Sequence, residues 1–117
     1  MSVRPNKLHL SLQRLRHQVP VLAALGDETR LSIVARLSDG EPQSISRLTE
    51  ESKLTRQAIT KHLKVLEDAG LVRGSRSGRE CHFTLDPAPL AEVSDYLDLV
   101  SKQWDDSLAR LKAFVER

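Results

Sequence analysis

Hydrophobic residues recur along the first quarter of the chain with the spacing of an α-helix. Successive gaps of four, three, four and three residues separate Leu8, Leu12, Leu15, Val19 and Leu22, which places them on one helical face. Pro20 interrupts this face, and a proline removes a backbone donor and crowds the preceding turn. We therefore predict an N-terminal helical segment over residues 7–25, kinked or broken at Pro20, with a second short helix over residues 21–25.

The next helix is predicted from its start and stop residues. Gly26 ends the first segment, and Asp27 suits an N-cap because its carboxylate can accept a hydrogen bond from a free backbone N–H. The expected apolar face is formed by Leu31, Val34 and Leu37. Asp39 and Gly40 then mark the end of this helix.

Two short helices follow with the spacing of a helix-turn-helix. Ser44 can cap the first, in which Ile45 and Leu48 face inward, and Thr55 can cap the second. The second helix carries a buried stripe at spacings of four and three, made by Ile59, Leu63 and Leu66. Gly70 ends it, and only about three residues separate the two helices, so residues 44–70 are predicted to form a helix-turn-helix.

The hydrophobic period changes after Gly70 from that of a helix to that of a strand. Cys81, Phe83 and Leu85 alternate with polar residues, and the glycines and serines before them are turn residues. Residues 71–85 are therefore predicted to form a β-hairpin, the wing. One long helix is predicted over residues 87–116, where, beyond Pro87 and Pro89, apolar residues recur every three or four positions without an interrupting glycine or proline.

This last helix is too long for the small core. It would extend about 45 Å, whereas a compact domain of this size has a radius of gyration near 13 Å. Its apolar stripe continues through Trp104, Leu108 and Leu111, and we expect a second copy of the chain to cover it.

Composition narrows the class of protein. The chain has 117 residues, 39% hydrophobic and 29% charged, which predicts one globular domain over residues 1–117. The longest apolar run covers only residues 21–25, so no membrane partner or leader segment is expected. A single cysteine, Cys81, allows neither an intrachain disulfide nor a paired-cysteine metal site, and a reducing cytoplasm fits this cysteine usage.

Positive charge is concentrated in the middle of the chain. The net charge is only +2, yet residues 53–79 hold seven basic and two acidic residues, a local charge of +5. A helix-turn-helix places the start of its second helix in the major groove of DNA. The residues expected there, opposite the buried stripe, are Thr55, Arg56, Gln57, Thr60, Lys61 and Lys64. Arginine can bond guanine at two points and glutamine can bond adenine in the same way, while lysines position the helix on phosphates.

The hairpin adds three more basic residues, Arg73, Arg76 and Arg79, placed to neutralise phosphates or enter a minor groove. A basic run alone would more often be a solvated surface. Together, the capped helices and the basic hairpin predict a mainly α-helical, winged helix-turn-helix protein that binds double-stranded DNA.

Two sequence segments resemble the ArsR/SmtB family of winged helix-turn-helix transcriptional regulators. The first, residues 25–31, reads LGDETRL, and the second, residues 59–66, reads ITKHLKVL and is followed by AGLV at residues 69–72. The resemblance implies a homodimer that represses a promoter carrying an inverted repeat, with the terminal helices in contact. It also implies that Thr60 and His62 touch DNA, whereas periodicity supports Thr60 more strongly.

The sequence departs from the metal-sensing members of that family. The positions that would hold thiolates are Ser44 and Ser46, and no histidine follows His82. Hydroxyls are poor ligands for soft metals, and His9 and His17 would stand about 12 Å apart along a helix. We therefore expect no metal or other cofactor. Whether the protein responds to a small-molecule effector is left open.

Two alternatives and one exclusion complete the sequence-based interpretation. Cys81 could act as a thiol switch, although its place beside Phe83 favours a buried structural thiol. The domain could also dock mainly to another protein. No phosphate loop, no nucleophile with its base and no metal-ligand cluster stands out, so an enzyme is not expected.

Overall fold

A computed structural model describes the backbone of residues 7–116 and the side chains of residues 12–116. Within this range the chain forms five α-helices and a small sheet. The helices are α1 (Lys7–Leu25), α2 (Glu28–Arg36), α3 (Ile45–Glu50), α4 (Arg56–Asp68) and α5 (Ala88–Val115), and the strands are β1 (Gln43–Ser44), β2 (Val72–Ser77) and β3 (Glu80–Leu85). The predicted winged helix-turn-helix fold is confirmed.

Helix α1 runs through Pro20 without a break, so the predicted second helix over residues 21–25 is wrong. A proline removes one hydrogen bond from the helix, and here it lies on an exposed face. In the turn that follows it, Val21 and Ala24 are buried in the core, and this packing holds the end of the helix in line. The side chains of Leu8 and His9 lie outside the described residues.

Helix α2 begins at its predicted cap, and of its predicted inward face Val34 and Leu37 are buried but Leu31 is not. The Asp27 carboxylate accepts a hydrogen bond from the Arg30 backbone N–H at 3.0 Å. Leu31, expected in the core, is 53% exposed, and Ile33 is buried with Val34 and Leu37 instead. These three residues cluster around one direction of the helix, and Leu31 points about 110° away from it.

The helix-turn-helix has the predicted caps. Ser44 accepts from the Arg47 N–H and Thr55 from the Ala58 N–H, each at 3.1 Å. The stripe of α4 is fully buried. At its end Gly70 has a positive φ of 78°, and the Leu71 and Gly70 N–H groups donate to the Leu66 and Glu67 carbonyls at 2.9 Å each. This is a Schellman motif, in which a glycine meets the left-handed conformation without a Cβ clash.

The sheet is antiparallel, with strand order β1-β3-β2. Strands β2 and β3 form the predicted wing. Strand β1 was not predicted, and it pairs Gln43 with Phe83 and Ser44 with His82. Two residues are too short to establish an alternating pattern, which is why the sequence did not reveal this strand.

The molecule is elongated because α5 extends beyond the core. Its radius of gyration is 19.4 Å and its extents are 67 × 38 × 22 Å, well beyond the roughly 13 Å radius of a compact domain of this length. The core is built from α1 to α4, the sheet and the first turns of α5, which contributes Val93. Among the described helices, none has the length and apolar character needed to cross a membrane.

Candidate nucleic-acid interface

The start of α4 brings four of the predicted DNA-contacting residues together on one exposed surface. This surface is formed by Arg56, Gln57, Thr60 and Lys61. It is exposed because the opposite side of the helix is the buried stripe that packs on the core. One continuous set of polar and basic groups is therefore available to a groove of DNA.

Two of these side chains are held by contacts within the helix-turn-helix. The Arg56 guanidinium donates to the Ser46 hydroxyl at 3.0 Å, and the Thr60 hydroxyl donates to the Arg56 carbonyl at 2.8 Å. The first contact joins α4 to α3, so the direction of Arg56 depends on the packing of the two helices. The side chains of Gln57 and Lys61 make no hydrogen bond or ion pair with any residue that the structure describes.

The tip of the wing carries two exposed arginines. Ser77 pairs with Glu80, leaving a two-residue loop of Gly78 and Arg79, and Gly78 has φ 63°. A glycine with positive φ at this first position is favoured in tight hairpin turns. Arg76 and Arg79 are exposed and, within the described part of the chain, form no ion pair, so both charges are free for a phosphate.

Arg73 lies at the base of the wing and is already paired. Its guanidinium contacts the Asp86 carboxylate at 2.8 Å. The Ala88 N–H, which donates to the other oxygen of Asp86 at 3.0 Å, and then Arg73 lower the pKa of that carboxyl. Asp86 thus joins the wing to the first turn of α5.

Lys64 and Thr55 also have partners inside the chain. The Lys64 ammonium is 2.9 Å from the Asp68 carboxylate, one turn along the helix, and this contact raises the pKa of Lys64. The Thr55 hydroxyl is used as the cap of α4. These two residues stand beside the exposed surface but offer DNA less than Gln57 or Lys61.

His62 is separated from the other predicted residues. Its side chain is 22% exposed, with Nδ1 at 3.8 Å from the Asp27 carboxylate and 3.3 Å from Nη1 of Arg30. It therefore faces the start of α2. The Arg30 backbone N–H, followed by the charges of Arg30 and His62, lowers the pKa of Asp27.

Two arginines that position this surface were not identified from the sequence. Arg30 donates from Nε to the Ala24 carbonyl at 2.7 Å, so it joins the end of α1 to α4 through His62. Arg36 donates to the Leu48 and Glu51 carbonyls at 3.2 and 2.6 Å and fixes the end of α3. Arg30 lies within the LGDETRL segment, which was the only signal for its role.

The residues at the family's thiolate positions do not fit a metal. Ser44 caps α3 and Ser46 accepts from Arg56, so both hydroxyls serve the fold. In the described part of the chain, no three His, Cys, Asp or Glu side chains are grouped closely enough to hold an ion. Cys81 packs partly buried against the core, and His82 contacts Glu80 at 3.2 Å.

The chain is similar to known helix-turn-helix transcriptional regulators. A model described as a helix-turn-helix domain matches residues 25–75. The HTH-type transcriptional regulator YuzN of Bacillus subtilis is 45% identical over 79 residues, covering 62% of this chain and 86% of that protein. The HTH-type transcriptional repressor SmtB of Mycobacterium tuberculosis is 32% identical over 88 residues, covering 75% of this chain and 63% of that protein.

A solved structure extends the similarity to the terminal helices. The ArsR-like transcriptional regulator from Rhodococcus sp. RHA1 matches with a TM-score of 0.74 and 37% sequence identity, over 86% of this chain and 93% of that one. The match therefore covers more of the chain than the helix-turn-helix segment alone.

Proposed function

Because this chain belongs to the ArsR/SmtB family of DNA-binding transcriptional regulators, we propose that it is a homodimeric repressor of an inverted-repeat operator and works without a metal ion. Three parts of this proposal go beyond membership of the family. They are the homodimer, the residues that read the operator, and DNA binding without a metal ion. Each rests on a separate feature of the molecule.

The observation that carries the proposal is an uncovered apolar strip on the terminal helices. On α5 it consists of Leu97, Val100, Trp104, Leu108 and Leu111, and on α1 it consists of Leu12, Leu15 and Val19, all exposed. Trp104 alone is 67% exposed. Single exposed leucines are ordinary, but a continuous apolar strip of this length is typical of an interaction surface. A second copy supplies an identical strip, as closed two-fold dimers require.

A dimer presents two α4 helices to one face of DNA. Such pairs read half-sites about 34–36 Å apart, one helical turn of the duplex, and the operator repeats with the symmetry of the protein. We assign base reading to Arg56, Gln57 and Thr60, which share the exposed surface at the start of α4. Phosphate contact is assigned to Lys61, Arg76 and Arg79, which are exposed and unpaired among the described residues.

The remaining sequence-predicted contacts are assigned weaker roles at the same interface. Arg73 and Lys64 can turn from their internal partners to phosphates, and Thr55 can offer a backbone group at the helix start. His62 is assigned to positioning, because its ring faces Arg30 and Asp27. Metal independence is supported by the structural use of Ser44 and Ser46 described above.

The proposal is tested by selecting bound fragments from the source genome and measuring the mass of the complex by sedimentation. We expect an inverted repeat bound by two chains, with affinity unchanged by a chelator or by stoichiometric zinc. Binding that random DNA competes away equally well would instead support a module that docks mainly to another protein. Loss of operator binding on modification of Cys81 by a thiol reagent would support the thiol-switch alternative.

A further inference from the structure

A polar groove lies between α1 and the first turns of α5. It has a volume of about 410 Å³ and is lined by Gln13, Arg14, His17, Gln18, Glu92 and Asp95. Sites that hold small organic molecules have volumes of about 300–1,000 Å³. Since all six lining residues are polar, the groove suits a small hydrophilic molecule rather than a hydrocarbon.

Gln18 gives the groove an unused acceptor. The residue is only 6% exposed, and its carbonyl oxygen has almost no accessible surface and no hydrogen-bond partner among the described residues. Buried polar atoms in folded proteins are nearly always paired, because an unpaired one retains the full cost of losing water. If the amide turns this oxygen toward the groove, a ligand that brings an N–H or O–H group to it would remove that cost.

Two charged side chains of the groove are paired with each other, and two others have no ion-pair partner among the described side chains. His17 Nε2 and Glu92 Oε2 lie 3.6 Å apart and connect the two helices. Arg14 and Asp95 line the same groove, yet neither forms an ion pair with any residue whose side chain the structure describes. Within the described part of the chain, the Arg14 guanidinium and the Asp95 carboxylate have no ion-pair partner and the buried Gln18 amide oxygen has no hydrogen-bond partner.

We propose that this groove binds a zwitterionic α-amino acid. A guanidinium matches a carboxylate at two points, so Arg14 takes the ligand carboxylate. An ammonium carries three donors, which Asp95 and the Gln18 oxygen accept. An amine without a carboxylate would leave Arg14 unmatched, and an acid without an amine would leave Gln18 and Asp95 unmatched. This site goes beyond the proposed function and does not depend on it.

The first experiment uses the full chain without DNA. Each of the twenty common L-amino acids is titrated singly by calorimetry, up to about 10 mM so that weak sites are seen, and the melting temperature is followed in parallel. We expect at least one to bind saturably and to raise the melting temperature with its concentration. The corresponding amine, lacking the carboxylate, and the corresponding acid, lacking the amino group, should each bind at least tenfold more weakly.

Variants assign the two ends of the ligand. Arg14→Gln should lower affinity for the amino acid at least tenfold while leaving affinity for the amine unchanged. Asp95→Asn should weaken both. The matched controls Arg110→Gln and Asp106→Asn make the same changes on exposed positions of α5 outside the groove, and they should leave binding unchanged.

Gln18→Leu separates the proposal from its strongest competitor, in which a second copy of the chain supplies the donor. For an amino-acid site, this variant binds the ligand at least tenfold more weakly and keeps the dimer dissociation constant. The proposal is overturned if Gln18→Leu weakens the dimer and no amino acid binds the wild-type chain. Equal affinity for the amino acid and its two truncated analogues would also overturn it.

Discussion

The helix-turn-helix and the terminal helices differ in how far their apolar side chains are buried within one chain. Leu63 on α4 is 1% exposed, whereas Leu108 at a similar place in the stripe of α5 is 51% exposed. The first stripe finds its cover inside one chain, and the second does not. The core of the helix-turn-helix is thus buried within one chain, while the terminal helices keep an uncovered apolar strip that the proposed dimer would cover.

The largest expected effect comes from charging the uncovered strip. Leu108→Glu with Leu111→Glu should abolish the dimer, because burying two carboxylates against a second copy is strongly unfavourable. Operator affinity should fall by about 10²–10⁴-fold as the two half-sites lose their linkage. Sedimentation and DNA titration measure both, and the fluorescence of Trp104, the sole tryptophan, reports the loss of cover.

The matched control is Ala109→Glu with Ala113→Glu, which adds the same charge on the opposite side of α5. The control should remain dimeric. If both double variants dissociated equally, the strip would not be the contact surface.

A second effect separates core from interface. Leu63→Ala should lower the free energy of unfolding by about 2–5 kcal/mol, as cavities in packed cores do, at every protein concentration. The effect of Leu108→Ala on the melting temperature should instead depend on protein concentration, because a second chain covers Leu108 in the proposed dimer. Chemical denaturation at two protein concentrations a hundredfold apart checks this. If the effect of Leu63→Ala depended on protein concentration and that of Leu108→Ala did not, Leu63 and not Leu108 would belong to the interface.

A third effect concerns α4 and the wing, which are proposed to contact DNA. Arg56→Ala or Gln57→Ala should reduce discrimination between operator and random DNA by about 1–3 kcal/mol. Arg76→Ala should weaken both DNAs by the same factor and reduce the salt dependence of log K by about one unit. Since Ser46 holds Arg56, Ser46→Ala tests whether that contact matters. Equal loss of specific and random binding in all variants would contradict the assignment.

The smallest effect is at the junction of α1, α2 and α4. The pKa of Asp27 is lowered in the folded protein, so its stabilisation is present above its ordinary pKa of 3.8 and is lost as the pH falls through the lowered value. Asp27→Asn keeps a cap but removes the charge. The variant should be less stable than wild type at pH 7 and approach it near pH 3 in urea unfolding. A difference independent of pH would assign the role of Asp27 to its cap alone.

The sequence revealed what depends on near neighbours. The caps at Asp27, Ser44 and Thr55 and the stripe of α4 follow from spacings of three and four residues, and all are as predicted. The break at Pro20, the inward direction of Leu31 and the absence of β1 from the prediction were errors of another kind. In each, packing against distant parts of the chain decided the outcome, and a local pattern contains no information about that packing.

The same distinction applies to the DNA-binding surface. Residue type and helical period predicted that Arg56, Gln57 and Thr60 lie on the exposed side of α4, as they do, but not the internal partners of Arg73 and Lys64; contact with DNA stays a prediction. Asp86 is 13 residues from Arg73, a separation at which no spacing rule operates. The contact of His62 with Arg30 spans 32 residues and required the fold to be known.

Arg30 has a mechanical consequence for any assembly of this chain. Through one side chain, the end of α1 is tied to the middle of α4, and α1 is also part of the apolar strip. In the proposed dimer, a rotation of one subunit relative to the other would therefore carry its α4 along with its part of the dimer contact. The spacing of the two α4 helices along the duplex would then depend on how the subunits pack, and it could change without altering any residue proposed to touch DNA.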